Sequence, residues 1–598
     1  MTVCSRIFSL FLIVTLLVNC RTETTSDIPM VDFKRTSNDV YVRLPAEPGN
    51  LNPLLYRSGY EAQIFEHLYS YLQDFSYDPE TSEMQPVLVT GPPTVTDSPE
   101  TGGKVYRYQL RPEARWDNGE PITAEDVLFT LKTIFAPTMP TQRFTAFLDF
   151  LVDVRTDLND PRAFEFVTSR PYIIASEVLG NVVVLPKYAY DPDGLLDGFT
   201  FAQLTDADRA EELKENANLK AFAENYQQPD NVRENLTGSG PYALKEWTPE
   251  QRVVLERKAD WWGADLAGEQ FADGPDQIIF LPIPDAGAMT ASIYDEGFDV
   301  SAQINSKVFL DLQANEAVAE RYNFFTPLTY QTYYMGMNTR SPKLADKRVR
   351  QALAHTINIQ EVIDKLFYGF ATPTHGLIDS GREYYNSDLS VREQDFDRAK
   401  QLLADAGWTD TNGNGTVDKV VDGVSTELEL TYFTSANSTY GNNFAQYLKE
   451  QAQRVGITVT PEPQEFRQMI GRVRQQDFEL AGLASNYYPF YHDLRQLLHT
   501  EADVPGGSNY TGFGNEETDR LLEEIQASDD PATLLPKYRR LQEIFHDETP
   551  IAAVFNPQNR IAVHKRFDPA VSPRRPGFNP AAFELREEFA RLREVSEN

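Results

Sequence analysis

Between residues 395 and 485 the apolar pattern switches period again and again, and that alternation limits the folds open to the chain. Asp395 caps a helix predicted over 396–406, with Phe396, Ala399, Leu402, Leu403 and Ala406 on one face and Gly407 at its end. Leu428, Leu430 and Tyr432 then alternate as a strand. A second helix carries Phe444, Leu448 and Val455 and stops at Gly456, and the strand Ile457-Thr458-Val459 follows. A third helix holds Phe466, Met469, Ile470 and Val473, ahead of the apolar run FELAGLA. Strands separated by helices cannot pair as hairpins. They need crossovers, so this half of the chain predicts an α/β fold with helices covering a sheet.

The first half reads differently. Short strands and loops dominate residues 30–200, beginning with the strand VYVRL and the turn-rich EPGNLNP. Val105, Tyr106, Tyr108 and Leu110 mark another strand, and Asn118-Gly119 marks a turn. Thr123 caps a helix with Val127, Leu128, Leu131 and Ile134 on one face. Residues 205–225 read as charged and helical. Gly238-Ser-Gly-Pro-Tyr242 reads as a tight turn leading into the strands YALKEW, RVVLERK and QIIFLPI. Further on, residues 348–354 begin a helix with Val349, Ala352 and Leu353 inward. A chain of 598 residues exceeds one compact core, so two or three lobes are expected. With no internal repeat and no low-complexity linker, those lobes must form by the chain crossing between them.

At the N-terminus, Arg6 and the free amine precede twelve apolar residues, 7–18, too short a run to span a bilayer. This reads as a secretory signal over residues 1–20, followed by a polar tether over 21–35. Leu17-Val18-Asn19-Cys20 resembles a bacterial lipobox, with Asn19 where a small residue is usual, so Cys20 is the expected lipidation site. Cys4 and Cys20 are the two cysteines of the chain, which leaves the mature part without any disulfide or thiolate metal site. The expected location is the cell envelope: secreted, lipid-anchored and periplasmic.

A net charge of -34 repels polyanions, so no nucleic-acid partner is expected. Catalytic signatures are missing: no G-x-S-x-G elbow, no phosphate loop with its Lys, no H-E-x-x-H helix. The seven histidines are scattered without metal-ligand spacing, and His492 is the one best placed to face a cleft. The chain does not read as an enzyme, and no cofactor is required. One loop stands apart. Asp410, Asn412, Asn414 and Asp418 place oxygens at positions 1, 3, 5 and 9 of a calcium-type loop, with Thr416 between and Gly415 at position 6. Position 12 is Val421 where Glu is needed, and Asp422 comes one step late, so a structural calcium site competes with a plain Gly/Asn-rich turn.

Taken in order, EPGNLNP, YRYQLRPEARWDNGEPITAEDVLFTL, GSGPYALKEW with VLERKADWWG, YYMGMNTRSPKLADKRVRQALAHTIN and FDRAKQLLADAGW resemble the extracellular solute-binding proteins of family 5. These are the oligopeptide-, dipeptide- and nickel-binding receptors of bacterial ABC importers. The resemblance implies the type II periplasmic-binding-protein fold, with two α/β lobes, a hinge and an extra domain on the first lobe. The implied division is 36–75 with 230–332 and 550–598 for the first lobe, 76–229 for the extra domain, and 333–549 for the second lobe. It implies capture of an oligopeptide-like solute, delivery to an ABC permease, and a monomer. The same fold with an oligosaccharide or chelated metal as cargo is the alternative, and an envelope hydrolase is a remote one. The family's late carboxylate, which meets a peptide's amino group, falls on Asn486 or Tyr488, and Asp493 is the next acid. Tyr487, Tyr488, Phe490 and Tyr491 are expected to wall the cleft. Tyr56, Arg57, Ser58 and Tyr60 match the other ligand-lining segment, with Arg57 set to meet a carboxylate.

Overall fold

The computed structural model describes residues 37–77, 84–234, 236–421, 423–488, 490–528, 531–587 and 589. The expected signal, Cys20 and the tether lie outside the described residues. No helix among the described residues is long and apolar enough to cross a membrane.

Two large sheets organise the chain. The first has seven strands in the order Tyr322–Phe325, Ile561–His564, Val300–Ser301, Val40–Leu44, Gln277–Pro282, Arg252–Arg257 and Tyr242–Thr248. The second has six, in the order Ala371–Pro373, Ile551–Pro557, Gln331–Met337, Leu480–Asn486, Glu429–Ser435 and Thr458–Gln464. Within the second sheet Glu429–Ser435 runs parallel to both Thr458–Gln464 and Leu480–Asn486. The helices Thr439–Gln453 and Phe466–Arg474 supply the crossovers, as the alternating periods require. Each sheet is covered on both faces. All five residues of Val40–Leu44 are therefore buried, including Arg43, whose guanidinium donates to Ile283 O at 2.7 and 2.9 Å.

A third, antiparallel sheet of four strands lies between Thr94 and Thr168. It packs against the helix Ala124–Phe135, where Thr123 and Asp126 form a capping box. Tyr108, Phe164, Phe166, Val127 and Leu131 from this region join Val40, Val42 and Leu44 in one continuous apolar core. Shared apolar burial, not a tether, holds this part to the first sheet.

The turn at Gly238-Ser-Gly-Pro is a place of close backbone approach. A Cβ on Gly238 would lie 2.0 Å from Leu68 O, and one on Gly240 would lie 2.5 Å from His67 O. The bare α-carbons let Gly240 N–H reach Leu68 O at 3.0 Å and Tyr242 N–H reach His67 O at 3.1 Å. Residues 205–225 are helical as expected, in successive short elements, because Asp206 and Asn216 turn their side chains onto following amides and each opens a new one. On the helix Phe466–Arg474, Met469 and Val473 are buried but Phe466 is exposed, since it begins the first turn beyond the edge of the core.

The chain passes between the two large sheets twice. Tyr322–Phe325 belongs to the first sheet and Gln331–Met337 to the second; Ile551–Pro557 belongs to the second and Ile561–His564 to the first. The crossings run side by side. Thr329 N–H and Oγ1 donate to Pro557 O at 3.1 and 2.8 Å, and Asn559 N–H donates to Pro327 O at 2.8 Å.

Beyond the return crossing, Arg566 is 1% exposed and its Nε donates to Asp299, 0% exposed, at 2.7 Å. The second guanidinium arm reaches the other carboxylate oxygen, also at 2.7 Å. Asp299 further accepts from Tyr41 N–H at 2.8 Å, and Arg566 donates to the carbonyls of Ser37 and Asp39. The pair thus ties the C-terminal segment to the first strand with its hydrogen-bonding capacity used. Replacing Arg566 alone with Met strands a buried carboxylate, and we expect urea unfolding to show a loss of about 3–5 kcal/mol. The double change Arg566→Met, Asp299→Leu should cost clearly less than the single one. A single-variant loss below about 1 kcal/mol would show that the pair does not hold this segment.

Candidate ligand-binding site

A cavity of about 900 Å³ lies between the two lobes. That is at the upper end of the range for enclosed ligand sites. Its floor is the first crossing itself, through Leu328, Thr329 and Tyr330. One wall comes from the short hairpin of Gln73–Phe75 and Met84–Pro86, joined by Ser176 and Glu177 from the helix Ala175–Gly180. The second lobe supplies Asp379, Arg382, Glu383 and Tyr384, then Tyr487, Phe490 and Tyr491 just beyond the strand Leu480–Asn486.

The second-lobe wall is organised around Arg382. Its Nε donates to Asp379 Oδ2 at 2.8 Å, and its outer nitrogen donates to Tyr488 O at 3.1 Å. The guanidinium also lies 5.9 Å from the ring centres of both Tyr330 and Tyr487, within reach of their π-faces. One cation therefore fixes the segment 487–488 against the floor. Behind it Tyr384 stacks on Tyr491 at 5.3 Å and on Tyr538 at 4.3 Å, and Tyr384 Oη meets His492 Nδ1 at 2.7 Å. Burial pushes the hydroxyls of Tyr384 and Tyr487 far up from the ordinary phenol range. Burial, with the Glu383 carboxylate that accepts from it at 2.9 Å, pushes Tyr491 up to about 12. All three are neutral near pH 7, so the cavity presents aromatic faces and neutral hydroxyls. His492 is held down to about 4, first by burial and then by Arg382, and is a neutral ring there.

Two sets of contacts join the side of the hairpin to the second lobe. Phe75 from the hairpin stacks on Tyr488 at 5.4 Å and on Phe490 at 5.5 Å, and those two rings lie nearly parallel at 5.2 Å. Arg574 braces this hairpin, donating to Asp74 at 3.0 Å and to Phe75 O at 2.7 Å. Further along, Tyr172 Oη and Gln526 Nε2 donate to Asp493 Oδ2 at 2.8 and 3.3 Å, and Ile173 N–H donates to Gln526 O at 2.8 Å.

The expected site residues divide accordingly. Tyr487, Phe490 and Tyr491 line the cavity, and Tyr488, outside the lining, stacks on Phe75 and Phe490. Asn486 accepts from Gln331 Nε2 at 2.7 Å beside the hinge, and Asp493 is the acceptor of the bridge from Tyr172. The segment from Tyr56 to Tyr60 is not part of the lining. Tyr56 packs on Phe65 at 5.0 Å with Arg143 over its ring at 3.8 Å. Arg57 is exposed, and its backbone N–H donates to Glu61. Ser58 caps the helix Gly59–Phe65 in a capping box with Glu61, and Tyr60 Oη donates to Gln303 at 3.3 Å. The pattern Ser-x-x-Glu at 58–61 signals that cap in the sequence. Phe75 and Glu177 carry no comparable signal, because the groups that they meet here come from distant parts of the chain, and for Arg382 only Asp379, three residues before it, is local.

The candidate calcium residues share one loop between the helix Phe396–Asp405 and the strand Asp418–Val421. Asp410 accepts from the amides of Gly413, Asn414 and Gly415, at 2.7, 3.2 and 2.9 Å. Asn412 and Asn414 donate to Glu427, and Thr416 Oγ1 meets Thr458 Oγ1 at 2.9 Å. Asp418 accepts from the hydroxyl and amide of Thr411, which hold its carboxyl below the ordinary range. These bonds pin the turn from within. Among the described residues no three acidic, His or Cys side chains converge on a metal-sized site.

The bridge at Phe75 generates a kinetic prediction. Each aromatic contact adds about 0.5–1.5 kcal/mol beyond burial, so Phe75→Ala should speed ligand release by roughly threefold to tenfold in stopped-flow measurements. The association rate should change far less. An unchanged release rate would remove the stack from any role in closure.

Comparison with known proteins places the chain. The model of the bacterial extracellular solute-binding proteins, family 5 (middle), matches residues 83–501. The oligopeptide-binding protein AppA of Bacillus subtilis (strain 168) is 22% identical over 547 residues, covering 89% of this chain and 88% of AppA. The structure of AppA with a nonapeptide superposes with a TM-score of 0.69 at 21% identity, covering 92% of this chain and 99% of the other. NikA from Brucella suis, in complex with Fe(III)-EDTA, gives 0.72 at 18% identity, covering 92% and 100%. The chain therefore belongs to the bacterial extracellular solute-binding proteins of family 5, a family of binding proteins and not of enzymes.

Proposed function

We propose that this protein captures an oligopeptide-like solute between its lobes and hands it to the permease of an ABC importer. The observation that carries this reading is the cavity of about 900 Å³ floored by the hinge crossing. A ligand on that floor touches the segment that must bend when the lobes part, and its binding free energy acts directly on the open–closed equilibrium. The lining suits an extended chain. Neutral hydroxyls and carboxamides serve backbone groups, aromatic faces accept varied side chains, and residual space holds water. Two relatives support the choice of cargo, since AppA was solved with a nonapeptide and the oligopeptide-binding protein from Thermus thermophilus (TM-score 0.68, 21% identity) with a pentapeptide. Cys20 would hold the protein at the membrane by its lipid, through the tether of residues 21–35.

Native mass spectrometry of protein purified from its host, followed by identification of the released ligand, tests the reading. A ladder of co-purified peptides is the expected result. A single sugar or metal chelate in their place would keep the binding role and overturn the cargo. Conversion of a bound ligand into product would overturn the role itself.

A further inference from the structure

The strand Asp160–Thr168 belongs to the four-stranded sheet, and the chain leaves it through a short loop towards the helix Ala175–Gly180. The stem of that loop is fixed. Ser169 N–H donates to Phe150 O at 2.8 Å, Thr168 Oγ1 donates to Arg170 O at 3.0 Å, and Arg170 pairs with Asp149 at 2.8 Å. Tyr172 then packs edge-on against the fully buried Phe150, with ring centres 4.7 Å apart.

Beyond this stem the loop leaves its own lobe. Ile173 joins an apolar cluster of the second lobe with Leu494, Leu521, Leu522 and Ile525, and among the described residues every other member falls between 334 and 554. Its N–H donates to Gln526 O at 2.8 Å. Gln526 ends the helix Glu516–Gln526, whose last carbonyls have no partner within the helix, so the loop caps that helix from across the lobes. Beside it Tyr172 Oη and Gln526 Nε2 converge on Asp493 Oδ2, while Asp493 Oδ1 accepts from Arg495 N–H at 3.0 Å. An apolar plug, a helix cap and a charge-assisted hydrogen bond thus come from two consecutive residues. The loop also adjoins the cavity. Ala175 N–H donates to Tyr172 O at 2.9 Å, which ties it to the helix Ala175–Gly180, and Ser176 and Glu177 of that helix line the cavity.

We propose that Tyr172 and Ile173 form a latch that engages the second lobe on closure, so that retention of the cargo is set in part by contacts that touch no cargo. The proposal rests on capture between the lobes as read above and adds which segment holds them shut. Neither side chain lines the cavity, yet both reach from one lobe to the other. Opening exposes the half-buried Ile173 side chain, strips the donor from the helix end and takes one donor from Asp493. These costs fall on the open state and are the same whatever lies in the cavity. A ligand seated against Ser176 and Glu177 bears on the latch through a few residues of backbone. Such a device lengthens retention of every ligand without narrowing the choice among them, which suits a cavity walled by aromatic faces and neutral hydroxyls.

The test compares ligand-stripped wild type, Tyr172→Phe and Ile173→Ala in calorimetric titration and stopped-flow release with chemically unlike oligopeptides: alanine-only, glycine-rich and aromatic. Each variant should bind every peptide about fivefold or more weaker, by nearly the same factor, with most of the change in the release rate. The order of preference among the peptides should stay as in the wild type, and so should the melting temperature of the empty protein. Unchanged affinities, or losses that differ from peptide to peptide, overturn the latch and leave the peptide reading standing. Failure of the wild type to bind any of the peptides overturns the peptide reading instead. The latch is then decided by the release of the cargo that co-purifies with each protein, with the same factor expected and an unchanged rate against it. Tyr172→Phe removes one hydroxyl and keeps the packing on Phe150, so it decides the matter even if Ile173→Ala does not fold.

Discussion

The pairing of the two crossing segments is the constraint on which the rest of this molecule depends. Thr329 and Asn559 lock residues 327–329 against 557–559 by backbone hydrogen bonds, so neither crossing can move alone. Each crossing continues into a strand at both ends, and each sheet is packed on both faces by its own core. Packed sheets are stiff and short paired connections are not, so relative motion concentrates at the crossings. Leu328 and Thr329 of the first crossing also line the cavity. Occupancy and lobe position are thereby coupled at one place, with no relay through the cores.

The walls show a division of labour that follows from burial. Arg382 is spent on internal order, holding Asp379, Tyr330, Tyr487 and the Tyr488 carbonyl in one arrangement. The aromatic residues around it offer surface and neutral hydroxyls. The opposite wall carries the Glu177 carboxylate and the buried carboxamide of Gln73. The two sides are bridged by stacked rings at Phe75 and by the Tyr172–Asp493 hydrogen bond, contacts that are modest one by one. Modest bridges suit a protein that must reopen.

Much of the fold was legible in the sequence, because it is written in local periods and caps. Asp395 and Gly407 bound a helix as expected, with Gly407 at φ 85°, and Leu428, Leu430 and Tyr432 are all buried. Thr123 caps its helix, and the GSGPY turn opens a strand. The charged stretch at 205–225 is helical as read, but composition carries no information on where Asn216 interrupts it. The cavity was legible only where it is local. Tyr487, Phe490 and Tyr491 form one run, whereas Gln73, Glu177, Arg382 and the hinge meet through tertiary structure that no spacing reveals. At 56–60 similarity of segment pointed to ligand contact, whereas Ser58 and Glu61 form a helix cap whose local pattern was not read from the sequence.

Small-angle X-ray scattering of the ligand-stripped and ligand-saturated protein is the measurement that bears most directly on capture by lobe closure. The account predicts a smaller radius of gyration and a shorter maximum dimension when the cavity is filled, because only the crossings bend and the sheets move as bodies. Superimposable scattering curves, with saturation shown independently, would contradict it and leave a rigid pocket in place of a closing one.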